Sequence, residues 1–338
     1  MVSLKMIAEY CGVSTATVSK ALHDRSDIGA ETKQRVRDAA KKLGYLPNSA
    51  ARTLKNNRTD NIGVLYNASA GGLTHEYFSG VLNSFREEAE NHGYDITFIE
   101  NGVHNHEMTF LEHCRFRNFD GVVIVCADYE DAQVQELMNS DLTVVTIDYV
   151  HQNCPSISSN NIRGMEELVR YIISMGHTKI AYIHGEEFSY VTRERLTMFY
   201  RVMDEYGLDL PDEYIIPARY LSTKDAADAT RYLLELEEPP TCIIYPDDTA
   251  FIGGRNVITE RGLMIPDDIS VAGYDGVKMS QILHPKLTTI HQNTEAIGKE
   301  AAKKLIACIE KPKMTLIDRV VIDGDLLHGQ SVKRLESK

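Results

Sequence analysis

The sequence predicts a small all-α head, a short connecting segment and a larger α/β body of two lobes. Three observations predict it. Two short amphipathic helices flank a glycine turn near the N-terminus, apolar β runs alternate with helices from residue 61 onward, and the charge changes sign between these regions. Residues 1–60 hold eleven Lys and Arg against six Asp and Glu, a net of +5. The whole chain of 338 residues carries −13, so residues 61–338 carry −18. A basic head on an acidic protein concentrates attraction for phosphate in one place and repels nucleic acid elsewhere. A basic solvated face on a helical bundle is the plainer reading of the charge alone.

The head reads in order. LKMIAEYC (4–11) places Leu4, Ile7, Ala8 and Cys11 on one helical face, and Gly12-Val13-Ser14 breaks it. Ser14 is a natural N-cap, and TATVSKALH (15–23) restarts a helix with Ala16 or Thr17, Val18, Ala21 and Leu22 as its inward stripe. Two short helices around such a turn form a helix-turn-helix unit, whose second helix enters the major groove. A third helix, 31–45, turns Val36, Ala39, Ala40 and Leu43 inward. Pro47 ends it. Asn48 or Ser49 can cap a further short helix in which Ala50, Ala51 and Leu54 share a stripe flanked by Arg52, Lys55 and Arg58. A helix this short needs a partner to fold against: a twin from a second subunit, the DNA, or both. A plain interdomain linker is the alternative.

Beyond residue 60, β runs at 61–66, 94–99, 120–127, 142–148, 179–185, 213–220, 241–247 and 268–275 are separated by helical stretches such as 75–93 and 162–176. Val- and Ile-rich strands spaced by helices imply parallel sheets covered on both faces. About four units precede residue 160 and four follow, so two similar lobes are expected, with a ligand cleft beyond the carboxyl ends of their strands. Those ends carry suitable chemistry: Tyr66, Asn67, Asp128, Asp148 and Tyr149 in the first lobe, and Phe188, Arg193, Arg195, Tyr220, Asp247, Asp248 and Asp275 in the second. Carboxylates and Arg pair with vicinal hydroxyls, and aromatic rings cover a sugar face or a base. Each has a structural alternative. Asp248 can cap the helix that follows it, Arg193 can pair with Glu187 or Glu194, and Arg195 and Asp275 can be ion-pair partners.

Other function classes find less support. The N-terminus leads straight into a helix and no stretch of about eighteen apolar residues exists, so neither a secretion signal nor a membrane span is expected. The cysteines at 11, 114, 126, 154, 242 and 308 form no CxxC pair and read as reduced thiols of a cytoplasmic protein, and no metal site is expected. A secreted sugar-binding protein shares a two-lobed body but has no use for the head. An enzyme would need a nucleophile motif, a P-loop or GxGxxG beside Asp247, Asp248 and Asp275, and none accompanies them.

The stretch MIAEYCGVSTATVSKAL, with KKLGYLPNSAARTLKNNRTDNIGVL after it, resembles the lactose-repressor/galactose-repressor family of bacterial transcription regulators. GHTKIAYIHG (176–185), PDDTAFIGG (246–254), IPDDISVAGYDG (265–276) and LTTIHQN (287–293) extend the resemblance over nearly the whole chain. It implies a helix-turn-helix head (1–47), a hinge helix and linker (48–60), and a two-lobed periplasmic-binding-protein-like body. The body divides into 61–160 with about 292–320, and 161–291 with about 321–338. It implies a homodimer on pseudo-palindromic double-stranded operator DNA, a small-molecule effector between the lobes, most simply a sugar with a purine or other metabolite as the alternative, and no cofactor. Base reading is implied for Thr15, Ala16, Thr17 and Lys20. Hinge contacts are implied for Arg52, Leu54 and Lys55, with Leu54 the minor-groove wedge. Effector contacts are implied for Asn67, Asp148, Arg195, Tyr220, Asp247 and Asp275. The chain departs from the family at Met198, where glycine is usual, and GQSVKRLESK lacks a leucine heptad, which favours a dimer over a tetramer.

Overall fold

The computed structural model describes residues 2–45, 58–66, 75–99 and 107–336. The hinge expectations at Arg52, Leu54 and Lys55, and the effector expectation at Asn67, fall outside the described residues. The chain forms two compact units, Met1–Thr59 and Asp60–Lys338.

In the first unit, α1 (Leu4–Cys11), α2 (Thr15–Leu22) and α3 (Ala30–Leu43) close around Ile7, Ala8, Val18, Ala21, Val36, Ala39 and Ala40. The Ser14 hydroxyl accepts the Thr17 N–H at 3.0 Å and so starts α2. Gly12 ends α1 at φ 64°, the left-handed cap that glycine adopts without steric penalty. Of the two candidates for the inward stripe of α2, Thr17 is half-buried and Ala16 is exposed.

In the second unit the first sheet has the order β11-β5-β4-β3-β1-β2. Its strands are β1 (Asn61–Tyr66), β2 (Asp95–Ile99), β3 (Gly121–Cys126), β4 (Val144–Ile147), β5 (Ser156–Ser159) and β11 (Arg319–Ile322). All its pairings are parallel. Side chains alternate across it. Ile62, Val64, Val123 and Val125 face α4 (Glu76–Asn91) and α12 (Thr294–Glu310). Leu65, Val122 and Ile124 face α5 (Phe110–Arg117) and α6 (Ala132–Met138).

The second sheet has the order β12-β10-β9-β8-β6-β7. It comprises β6 (Ile180–His184), β7 (Ile215–Pro217), β8 (Cys242–Ile244), β9 (Ser270–Asp275), β10 (Thr288–His291) and β12 (Asp325–Leu327), the last antiparallel to β10. One face packs on α7 (Asn161–Ser174) and α8 (Tyr190–Glu205), the other on α9 (Thr223–Leu233) and α10 (Asp248–Glu260). The short α11 (Lys278–Ile282) follows β9. Met198, at the position where the family usually has glycine, is 7% exposed and packs with Phe199 in this core without interrupting α8.

The chain crosses between the lobes three times: between β5 and α7, between β10 and α12, and between β11 and β12. The strand expected at 213–220 is confined to 215–217, after a 3-10 turn at Asp212–Tyr214. Pro217 has no N–H to continue a ladder, and Leu221 turns the chain at φ 62°. Tyr220 therefore lies in a turn and not at a strand end. β5 escapes an apolar-run criterion because three of its four residues are Ser, yet all four are buried.

Gly298 lets α12 approach α4 closely. A Cβ there would stand 2.2 Å from the Val81 carbonyl oxygen and 2.3 Å from the Ser84 hydroxyl. Gly298→Ala is expected to destabilise the chain by about 1–3 kcal/mol through overpacking, read as a lower denaturation midpoint at unchanged m. An unchanged midpoint would mean that the two helices are not in this register.

Candidate DNA-reading helix and interlobe ligand site

On the head, Thr15, Ala16 and Lys20 project from α2 into solvent. The Thr17 hydroxyl is 2.9 Å from the Ser14 hydroxyl, so in this arrangement it reinforces the cap. Lys20 pairs with Asp27 at 2.5 Å, with both side chains about half exposed. Its hydrogen bond holds the Asp27 carboxyl below the usual range. Asp24 pairs with Lys33 and Arg37 at 3.1 and 2.8 Å. Lys5, Arg25, Arg35 and Lys41 stand exposed. A short helix with small side chains at its start and a lysine one turn on can approach base edges closely and place one cation in the groove.

The second site lies where the strands of the two sheets end. Arg195, on α8, is 3% exposed. Its guanidinium lies 3.5 Å over the Tyr274 ring and donates to Asn161 Oδ1 at 2.9 Å and the Pro246 carbonyl at 3.2 Å. Burial lowers its pKa, but Tyr274, Tyr220, Tyr182 and Asp275 more than offset this, and the net shift is upward. Arg195 stays charged.

Three of the expected carboxylates gather near it. Asp275 ends β9 at φ 100° and accepts from Gln292 Nε2 at 2.6 Å. Asp148 follows β4 at φ 59° and accepts from the Tyr77 hydroxyl and from the Ser159 N–H at 3.2 Å. Backbone at positive φ is unfavourable for aspartate and persists where surrounding structure imposes it, commonly at ligand sites. Asp247 is the N-cap of α10. It accepts the Ala250 and Leu221 N–H groups at 2.7 and 2.8 Å. The capping role considered for Asp248 therefore belongs to Asp247. Asp248 is fully buried, accepts from Thr289 Oγ1 and the Val277 N–H, and fixes the loop after β9. Tyr220 hydrogen-bonds Thr192 at 2.8 Å. Arg193 donates weakly to the Phe188 carbonyl, and Phe188 is exposed.

Burial, then the Asp275 charge, pushes Asp247 up to about 6. Burial likewise pushes Asp275 up to about 6, against the attraction of Arg195. Asp148 is also raised by burial, against hydrogen bonds from Tyr77 and Ser159. Among the described residues one buried cation thus faces three carboxylates that lack full compensation, where the two lobes meet. Such an environment favours neutral ligands that donate hydrogen bonds.

The lobes touch at two places. Both Glu76 oxygens, at the start of α4, accept the Lys278 N–H at 3.1 and 3.0 Å. Arg319 of β11 donates to Glu194 at 2.7 Å and to Tyr190 at 2.9 Å on α8. Asn161 joins this pair to the site: its Oδ1 accepts from Arg195 and its Nδ2 donates to Glu194 at 3.2 Å. The sequence reading missed Tyr77, Asn161, Gln292 and His75. Asn161 and His75 adjoin helix starts, and Gln292 follows a strand, so position relative to element ends is the signal that could have found them.

The comparisons agree with this architecture. The model of the bacterial regulatory proteins of the lacI family matches residues 3–48, and that of the periplasmic binding protein-like domain matches residues 169–332. The HTH-type transcriptional repressor PurR of Mannheimia succiniciproducens is 31% identical, over 99% of this chain and 100% of its own. The probable HTH-type transcriptional repressor ExuR of Bacillus subtilis is 27% identical, over 99% of both. The lac repressor dimer bound to operator and the anti-inducer ONPF is 24% identical with a TM-score of 0.80, covering 98% of this chain and 99% of that one. Among the described residues no helix is long and apolar enough to cross a membrane. A DNA-reading head and a two-lobed body, matched over essentially full length, place this chain in the lacI family of bacterial regulatory proteins, which are DNA-binding transcriptional regulators and not enzymes.

Proposed function

We propose that this regulator is a dimeric repressor of a carbohydrate-utilisation operon, released from or held on its operator by a neutral polyol bound between the lobes. The observation that carries the effector class is the charge at the site: among the described residues Asp148, Asp247 and Asp275 gather against the guanidinium of Arg195. Sugar hydroxyls donate to carboxylates, whereas an anionic ligand would meet three of its own sign. A second reading, a purine effector, is favoured by the Tyr77–Phe78 pair beside Asp148, with rings 5.2 Å apart at 68°. A thermal-shift screen of neutral sugars, uronates and purines, followed by operator binding with each hit, separates these readings. A purine hit without a sugar hit sinks the polyol.

The mechanism is a population shift. One lobe arrangement holds the two heads of the dimer at adjacent half-sites, and another does not. The effector acts only through its different affinity for the two.

Three outcomes are expected. Operator affinity falls as salt rises, because cations of the head displace counterions from phosphate, and Lys20→Ala costs about 1–3 kcal/mol of base discrimination. Gel-shift titrations at several salt concentrations, with consensus and mutated half-sites, check both, and flat salt dependence would contradict the head assignment. Asp275→Asn keeps operator binding without effector but weakens effector binding roughly tenfold or more, corresponding to a hydrogen bond to a charged group. Loss of operator binding and stability together would make Asp275 structural instead.

The third outcome concerns pH. A ligand hydroxyl donates to the ionised form of Asp247 and Asp275, whose pKa values lie raised in the free cleft, so binding releases protons near pH 6. The titratable groups that act on this pair include Arg195, Asp148, the buried Asp248 and, when protonated, His75. Effector affinity should rise as pH climbs through about 6 and level off above it, measured by calorimetry in buffers of different ionisation enthalpy. Affinity that falls over this interval would contradict carboxylates as hydrogen-bond acceptors.

A further inference from the structure

His75 stands at the N-cap of α4, yet its side chain caps nothing. It is 7% exposed, and neither ring nitrogen has a hydrogen-bond partner. Two other buried imidazoles find partners for their ring nitrogens. His177 meets Thr241 Oγ1 and the Lys333 carbonyl, each at 2.9 Å, and His184 meets the Gly185 carbonyl at 2.7 Å. A buried polar ring with both nitrogens idle is costly, and such groups mark places where another molecule completes the bonding.

The surroundings say what that molecule presents. His75 Nε2, on the first lobe, lies 3.7 Å from Asp275 Oδ2, on the second. That is too long for a hydrogen bond. It is the span that one hydroxyl oxygen, within hydrogen-bond range of both atoms, would bridge. Gln292 occupies Asp275 Oδ1, which leaves Oδ2 turned to the histidine. The Tyr77 and Phe78 rings, 6.5 and 5.5 Å from the imidazole, wall the spot on the first lobe. Glu76, the neighbouring carboxylate, is engaged with the Lys278 N–H. Among the described residues no cluster of His, Cys, Asp and Glu fits a metal ion.

We infer that His75 is a ligand-contacting, specificity-determining residue that, with Asp275, brackets a single hydroxyl of the effector. The imidazole N–H donates to the hydroxyl oxygen, and the hydroxyl donates to the carboxylate. The histidine belongs to the first lobe and the aspartate to the second, so this hydroxyl ties the lobes together. The inference rests on the polyol reading above and adds to it one required hydroxyl and the residue that selects it. Burial holds the His75 pKa below its ordinary value, while Asp247 and Glu76 oppose this, so the ring is neutral and presents one N–H to the ligand at neutral pH.

The test uses the full-length protein and calorimetric titration with D-glucose, D-galactose, D-ribose and cellobiose, each beside its monodeoxy analogues. Wild type is expected to bind one of these sugars and to lose tenfold or more with one deoxy analogue. His75→Phe, which keeps the ring volume and removes both nitrogens, is expected to weaken the parent sugar severalfold, by less than loss of the hydroxyl weakens wild type, because Asp275 still accepts from that hydroxyl. Its penalty for the analogue should be clearly smaller than the wild-type penalty at the same hydroxyl and unchanged at the others. His75→Gln, which restores an amide donor, is expected to recover part of the discrimination, and melting temperatures of both free variants check that they fold. If His75→Phe, or a folded His75→Gln when the Phe variant does not fold, keeps wild-type affinity and wild-type discrimination at every hydroxyl, His75 makes no contact and the polyol reading stands without it. If wild type binds none of the sugars, the polyol reading fails and this inference fails with it.

Discussion

The buried guanidinium of Arg195 is the interaction on which the proposed ligand site depends. Among the described residues its charge acts on Asp148, Asp275, Tyr182, Tyr220 and Tyr274 together. The Tyr274 ring beneath it and the Pro246 carbonyl beside it fix its position. Removing it would leave several buried carboxylates facing one another in a medium where such repulsion is strong. The same residue is joined through Asn161 to the Glu194–Arg319 pair that connects the lobes. A ligand that alters the charge around Arg195 therefore alters the surroundings of an interlobe contact. This supplies a physical route from binding to lobe arrangement without invoking a distant pathway.

Much of this fold is legible in the sequence because its local rules agree. Gly12 and Ser14 announce the break between two helices, and Val- and Ile-rich runs announce β1, β3, β4, β6, β8 and β9. The strands that escape the reading are those whose burial does not follow from composition. β5 is Ser-Ile-Ser-Ser, buried because β4 and β11 pair with it on both edges. β12 is three residues long and exists as the antiparallel partner of β10. β7 is shorter than the apolar run 213–220 because Pro217, inside that run, has no N–H with which to extend the ladder.

The site divides in the same way. Asp148, Arg195, Asp247 and Asp275 could be placed from strand and helix ends, and the fold brings them together. What the sequence could not show is how each carboxylate is occupied. Asp247 caps α10 with its own oxygens, whereas Asp275 keeps one oxygen turned toward His75. His75, Tyr77 and Gln292 gain meaning only when the lobes are assembled, because their partners are distant in sequence. The head shows a related limit: Thr15, Ala16 and Lys20 are exposed as expected, but the pairing of Lys20 with Asp27 depends on the turn after α2.

The central claim is that one ligand in the interlobe gap and one DNA site on the heads are thermodynamically coupled. Coupling free energies are reciprocal, so the factor by which saturating effector changes operator affinity must equal the product of the factors by which operator changes effector affinity at the two sites of the proposed dimer. The direct measurement is calorimetric titration of the effector into the free dimer and into the dimer saturated with operator duplex, beside operator titrations with and without effector. The account predicts an operator-affinity factor that matches the product of the two per-site effector factors and differs from one. An effector that binds with the same affinity in the presence and absence of operator would contradict it, however tightly it binds.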